Sequence, residues 1–136
     1  MPRTTSAISR LPFVADPHSI IRNSGRQIDW ANVSATNADG KKIVYAGTVV
    51  GELLGTGKVG PRVVTTNPAI GIMETTAIQD ERVAALSGYG IIVGGHLYEN
   101  MLPDATGTPK TLAAATKTEL KNNGYAWSFE PYGDSR

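Results

Sequence analysis

Residues 88–105 read GYGIIVGGHLYENMLPDA, with Gly88, Gly90, Gly94 and Gly95 falling inside the first eight positions. A glycine-rich run of this kind either cradles a phosphate or lets a strand bend. The spacing departs from the G-x-G-x-x-G pattern of dinucleotide sites, and the sequence supplies no helix directly after it to receive a phosphate at its N-terminus. Ile91, Ile92 and Val93 are strand material. The stretch is therefore read as two strands, 83–93 and 96–101, joined across Gly94-Gly95, a dipeptide suited to a two-residue hairpin that needs positive φ. Gly88 and Gly90 then relieve crowding or introduce a bulge in the first of these strands.

The flanking sequence has the same texture. KKIVYAGTVVGELLG (41–55) and VVTTNPAIGIMETTAI (63–78) are short runs of Val, Ile, Tyr and Thr broken by glycine or by Asn67-Pro68, as expected for strands joined by tight connections. One helix is expected over about 109–123. Thr108 is placed to cap it, Pro109 fits the first helical position, and Gly124 fits a left-handed terminus. Leu112, Ala113, Thr116 and Leu120 share one stripe, too shallow for a central helix, so the helix belongs on the periphery. Beyond it YAWSFE alternates, with Tyr125, Trp127 and Phe129 expected on a core-facing side. The fold class is mainly β (α+β): a small compact sheet or barrel-like domain with one peripheral helix and an extended N-terminal arm.

Two regions follow from this pattern, an arm over 1–27 and a single β-rich domain over 28–136. The arm has three prolines and no sustained period, so it has little reason to fold by itself. It still carries apolar patches at Leu11, Phe13 and Val14 around Pro12, and at Ile20-Ile21. Such patches suit either a strand laid across its own domain or a segment that pairs with a partner chain. The net charge of +1 divides unevenly: Arg3, Arg10, Arg22 and Arg26 against Asp16 give +3 over 1–27, leaving −2 for 28–136. Four dispersed arginines are a thin basic surface, and nucleic acid is not an expected partner.

Several kinds of chemistry lack their residues. With no cysteine, disulfides, thiol nucleophiles and thiolate-bound zinc are excluded. Two histidines, His18 and His96, offer little from which to build a metal centre or a catalytic triad. No apolar run is long enough to span a membrane and the first 25 residues have no leader-like core, so a soluble, unexported chain is expected. GTGKVG (55–60) fails as a Walker loop, because Glu52 stands where its first glycine is needed and Val59 follows the lysine. Around Ser87 a nucleophile elbow fails, since Ala85 stands where its first glycine is needed. Asp80 and Glu81, or Glu99 and Asp104, have no spacing that makes them converge. Neither a cofactor, a metal nor a small-molecule substrate is expected, and no enzymatic activity.

YAGTVVG (45–51), AIGIME (69–74) and GGHLYENMLPDA (94–105), followed by a helix and a closing aromatic strand, resemble the lambda-type head decoration proteins of tailed bacteriophages. The family's run of a glycine, an alternating strand, Tyr-Glu, an acidic or amide residue, an apolar pair, proline and an acidic residue is matched in order by Gly94, Gly95, Tyr98, Glu99, Asn100, Met101, Leu102, Pro103 and Asp104. The resemblance covers about residues 40–130. It implies a small β-rich capsid-stabilising protein that forms a homotrimer at the threefold positions of the expanded head, with the major capsid protein as its partner. It also implies that the protein is made in the host cytoplasm and resides on the outer surface of the virion.

In that setting the arm, through Arg10, Leu11, Pro12, Phe13, Val14, Ile20, Ile21 and Arg22, is expected to engage the capsid. Fully extended, its 27 residues reach about 90 Å, and its arginines could steer it to an acidic shell. The longer arm, residues 55–66 and the tail EPYGDSR depart from the family pattern. A different β-rich virion module, such as a fibre or carbohydrate-binding domain using Trp30, Trp127 or Tyr132, is the alternative. An enzyme acting on nucleotides or phosphoesters, through His96 or Glu99, is a third reading.

Overall fold

A computed structural model of the chain describes residues 12–53, 56–62, 67–79, 88–104 and 107–132. In chain order the elements are β1 (Val14–Arg26), a 3-10 turn (Trp30–Asn32), β2 (Ile43–Val44), β3 (Val49–Glu52), β4 (Val59–Pro61), β5 (Ala69–Met73), β6 (Ala77–Ile78), β7 (Tyr89–Tyr98), α1 (Ala114–Lys121) and β8 (Trp127–Glu130). The protein is mainly β. The principal sheet runs β1-β7-β5-β3-β4 with every pairing antiparallel, and β8 adds to β7 in parallel. β2 and β6 form a separate antiparallel pair. No helix among the described residues is long and apolar enough to cross a membrane.

The sheet curls until its two ends meet. Just beyond β1, Ile28 pairs with Val59 of β4. The amide of Asp29 donates to Val59 O and the amide of Val59 to Gln27 O, both at 2.9 Å. Across the same seam Arg26 donates to Glu52 Oε1 at 2.9 Å. Closure satisfies backbone groups that an edge would leave unpaired. Inside lies one apolar cluster that includes Ile28, Val50, Val59, Met73, Ile91 and Val93. On the outer face a second cluster gathers Phe13, Ala69, Ile72, Ile92, Leu97, Leu102 and Leu120 beneath α1 and β8.

β7 serves both clusters, and this explains its glycines. Strict alternation sends Ile91 and Val93 inward and Ile92 outward. Leu97, five residues after Ile92, nevertheless belongs to the outer cluster with it. The phase slips at Gly94-Gly95, where Gly95 has φ +148° and the partner strand carries residues 17–20 between the pairs Asp16↔His96 and Ile21↔Gly94. A Cβ on Gly95 would lie 2.7 Å from Ile20 Cδ1. The dipeptide is thus a bulge within one continuous strand, and the two-strand hairpin expected across it does not form.

The helix is shorter than expected at its start. Residues 109–112 remain extended because their backbone pairs with the segment after β7: Pro103 bridges Pro109, Lys110 N donates to Leu102 O at 2.8 Å, and Leu112 N donates to Glu99 O at 3.0 Å. α1 therefore begins after Ala113, which provides no side-chain cap, and Thr108 does not cap it. Thr116 and Leu120 are the residues it buries. In the aromatic strand Trp127 and Phe129 stack at 5.7 Å against the outer cluster. Tyr125, expected beside them in the core, is 49 % exposed.

The segment expected as an arm is, from Val14 to Arg26, a strand of the domain's own sheet. Phe13, only 2 % exposed, anchors it in the outer cluster. Of the two placements open to the apolar patches, the strand laid across its own domain is the one found for these residues. Deletion of residues 1–27 should therefore abolish cooperative urea unfolding rather than leave an intact domain. Gly95→Val should cost about 2 kcal/mol, through positive φ and the clash with Ile20, read as a lower urea midpoint at unchanged slope.

Candidate partner-binding surface

Three features could meet a partner: the outer edge of β1, the turn that follows β7, and the groove beside α1. Along β1, Ile21 is 38 % exposed and sits over Gly94, where a Cβ would lie 3.2 Å from Ile21 Cδ1 and 3.0 Å from Tyr125 Cβ. Ile20 and Val14 are half-buried against the outer cluster, while Pro12 is exposed. Arg10 and Leu11 lie outside the described residues. Arg22 is paired with Glu74, reaching across β7, and Arg26 with Glu52. The steering charge expected of these two arginines is thus spent within the domain.

The turn after β7 is built by the residues that carry the family resemblance. Tyr98 N donates to Phe13 O at 2.8 Å, and its ring meets Tyr132 edge-on at 4.9 Å. Glu99 N donates to Glu130 O at 2.9 Å, and its carboxylate pairs with Lys117 of α1. The Asn100 side chain makes two bonds to the backbone of Tyr132, donating through Nδ2 at 3.0 Å and accepting at Oδ1 at 2.7 Å. Leu102 is 1 % exposed in the outer cluster, with Met101 half-buried against it. Asp104 Oδ1 accepts from Thr108 N at 3.1 Å. These residues fasten β7, α1 and the C-terminal segment together.

Pro103 explains a further glycine. A Cβ on Gly47 (φ +92°) would fall 2.7 Å from Pro103 Cδ and 2.9 Å from Phe13 Cε2, so the turn before β3 accepts no side chain there. The start of β1, the turn before β3 and the tail of β7 are thereby pressed together at one end of the molecule.

The residues proposed for other chemistries are dispersed. His96 Nε2 lies 2.6 Å from Glu130 Oε1, linking β7 to β8, while His18 is exposed on β1. Among the described residues no group of three or more His, Asp or Glu is placed to hold a metal ion. Trp30 and Trp127 are half-buried, packed on the inner and outer clusters respectively. Tyr132 is 53 % exposed. Asp80, Glu81 and Ser87 lie outside the described residues.

Two polar anchors gave no signal in the sequence. Arg62, just past β4, grips Glu119 of α1 with two hydrogen bonds of 2.6 and 2.7 Å, and Glu119 Oε1 also accepts from Ala69 N at 2.8 Å. Fifty-seven residues separate the partners. Asn123 donates from one amide to Ile70 O and Val93 O, each at 2.8 Å, at the place where β8 replaces β5 beside β7. Comparison of the chain with known protein families, with curated proteins and with solved structures finds no match.

The hydrogen bonds from Arg62 hold the Glu119 carboxyl below its ordinary range, outweighing the opposing effect of desolvation. A lowered carboxyl stabilises the fold fully above the ordinary carboxylate range, and that stabilisation is lost as pH falls through the folded-state value. Glu119→Gln should cost about 2 kcal/mol at neutral pH. The gap between wild type and variant should close on acidification, as followed by urea unfolding across a pH series.

Proposed function

We propose that this chain is a lambda-type capsid decoration protein of a tailed bacteriophage, a structural protein that trimerises and cements the expanded head at its threefold positions. The observation that carries the reading is the run Gly94–Asp104 followed by a short peripheral helix and a closing aromatic strand. In the fold these residues form one mechanical unit, with Tyr98, Glu99, Asn100, Leu102, Pro103 and Asp104 each engaged in a specific contact. Such a unit suits a part whose task is to hold shape.

The physical logic of cementing is additive. A shell under outward pressure from packed DNA is strengthened by many modest contacts made at once, and a closed trimer presents three equivalent sets of them to a threefold site. The reading assigns the major capsid protein and two further copies of this chain as partners, places the protein on the virion surface, and assigns no reaction, cofactor or nucleic acid. The outer edge of β1 fits strand addition by the capsid protein. Because β1 is part of the sheet, capsid engagement in this reading uses a strand already formed, together with whatever precedes Pro12.

Mixing the purified protein with undecorated expanded heads and with unexpanded procapsids, followed by sedimentation, tests this. Saturable pelleting with expanded heads alone, near three copies per threefold site, is the expected result. Equal or absent binding to both shells would refute it.

A further inference from the structure

Asn123 and Gly124 form the chain's one Asn-Gly pair, directly after α1, which is capped by Asn122. The fold calls for each residue separately. Gly124 turns the chain from α1 towards β8 at φ +93°, in the left-handed region that glycine enters without a steric penalty. Asn123 ties three strands together. Its Nδ2 donates to Ile70 O in β5 and to Val93 O in β7, each at 2.8 Å. Its Oδ1 accepts from Tyr125 N at 2.8 Å and from Trp127 Nε1 in β8 at 3.4 Å. Both amide protons and the oxygen of this side chain are therefore in use.

The same pair is chemically labile. An asparagine followed by glycine is the case in which the next backbone nitrogen meets least hindrance in closing a five-membered ring on the side chain. The nitrogen of Gly124 forms a bond to Cγ of Asn123, the Cγ–Nδ2 bond breaks, and Nδ2 leaves as ammonia with the proton that nitrogen carried. Water then opens the cyclic imide at one or the other carbonyl. The product is aspartate, or isoaspartate with an extra methylene group in the main chain. Attack makes Cγ tetrahedral and then expels Nδ2, and both changes break the bonds to β5, β7 and β8.

We propose that Asn123 is a deamidation site guarded by the closed join of β5, β7 and β8, and that its reaction is a one-way step that leaves this join open. The reaction runs from molecules in which β8 has come away by local opening. Reclosure then fails on chemistry. A carboxylate has no proton to give, so the carbonyls of Ile70 and Val93 lose their donor and face a negative charge instead. A reversible opening thus becomes permanent. The inference concerns the free protein and stands whether or not the chain decorates a head.

The test follows the full chain during incubation at mildly alkaline pH, beside a synthetic peptide of residues 118–128 in the same buffer. Trypsin cleavage after Lys121 releases residues 122–136, and mass spectrometry of that fragment locates the exchange of amide for acid. The folded protein should deamidate at Asn123 more slowly than the peptide by more than about tenfold, because reaction waits on opening. Trp127→Ala, which removes a donor to Oδ1 and loosens β8, should react faster than wild type under conditions where its urea curve shows it folded. Reacted wild-type molecules, separated by charge, should unfold at a lower urea midpoint and exchange the amide hydrogens of β8 faster than those of Ile91–Val93. Equal rates in folded protein and peptide, or in Trp127→Ala and wild type, would overturn the proposal. So would reacted protein that keeps the original midpoint and exchange pattern.

Discussion

The structure depends on one short seam. Two backbone hydrogen bonds between Gln27–Asp29 and Val59, with Arg26 and Glu52 beside them, join the first strand to the last strand of the sheet order. If the seam were open, the inner cluster would have water on one side, and Ile28 and Val59, both now almost wholly buried, would lose their cover. At about 25 cal/mol per Å² of apolar surface, exposing two such side chains costs several kcal/mol, a large part of the stability of a domain this size. The ladder bonds are individually modest, and they matter because they hold an apolar interior shut.

With the sheet closed, β7 becomes the spine. It has β1 along one side and, on the other, β5 for its first half and β8 for its second. The change of neighbour and the change of side-chain phase occur together at Gly94-Gly95. Asn123 bridges the join with its amide, serving carbonyls of both β5 and β7. The outer cluster is thereby a second core, fastened by Lys117–Glu99 and Arg62–Glu119 at two points of the same helix.

Much of this was legible in the sequence. The β-rich class, the peripheral position of the helix now seen at Ala114–Lys121 and the strand character of Ile91–Val93 follow from composition and period. The bulge was not legible, because a Gly-Gly pair between apolar runs fits a two-residue turn equally well, and what separates the two is the pairing of β7 on both sides of the dipeptide with strands distant in sequence. The late start of α1 was hidden for a similar reason. Local propensity favours helix from Pro109, but pairing of residues 109–112 with the segment after β7 satisfies their backbone first. Arg62–Glu119 and the Asn123 amide depend on long-range geometry that no local pattern encodes. The residues carrying the family resemblance were found as a run, but their separate structural tasks emerge only from their contacts.

The topology also fixes an order of events during synthesis. Val14 pairs with Leu97 and Arg26 with Tyr89, so the first strand to leave the ribosome must wait for nearly the whole domain before its ladder can form. β8, the parallel addition that completes the outer cluster, comes later still. Throughout that interval Phe13 and the inner edge of β1 are without their native cover, and pairing between segments so distant in sequence is slow. Pro17 within the strand exposed for longest and Pro12 just before it cannot donate to a ladder. They discourage it from pairing with a neighbouring nascent chain before its own β7 has been made.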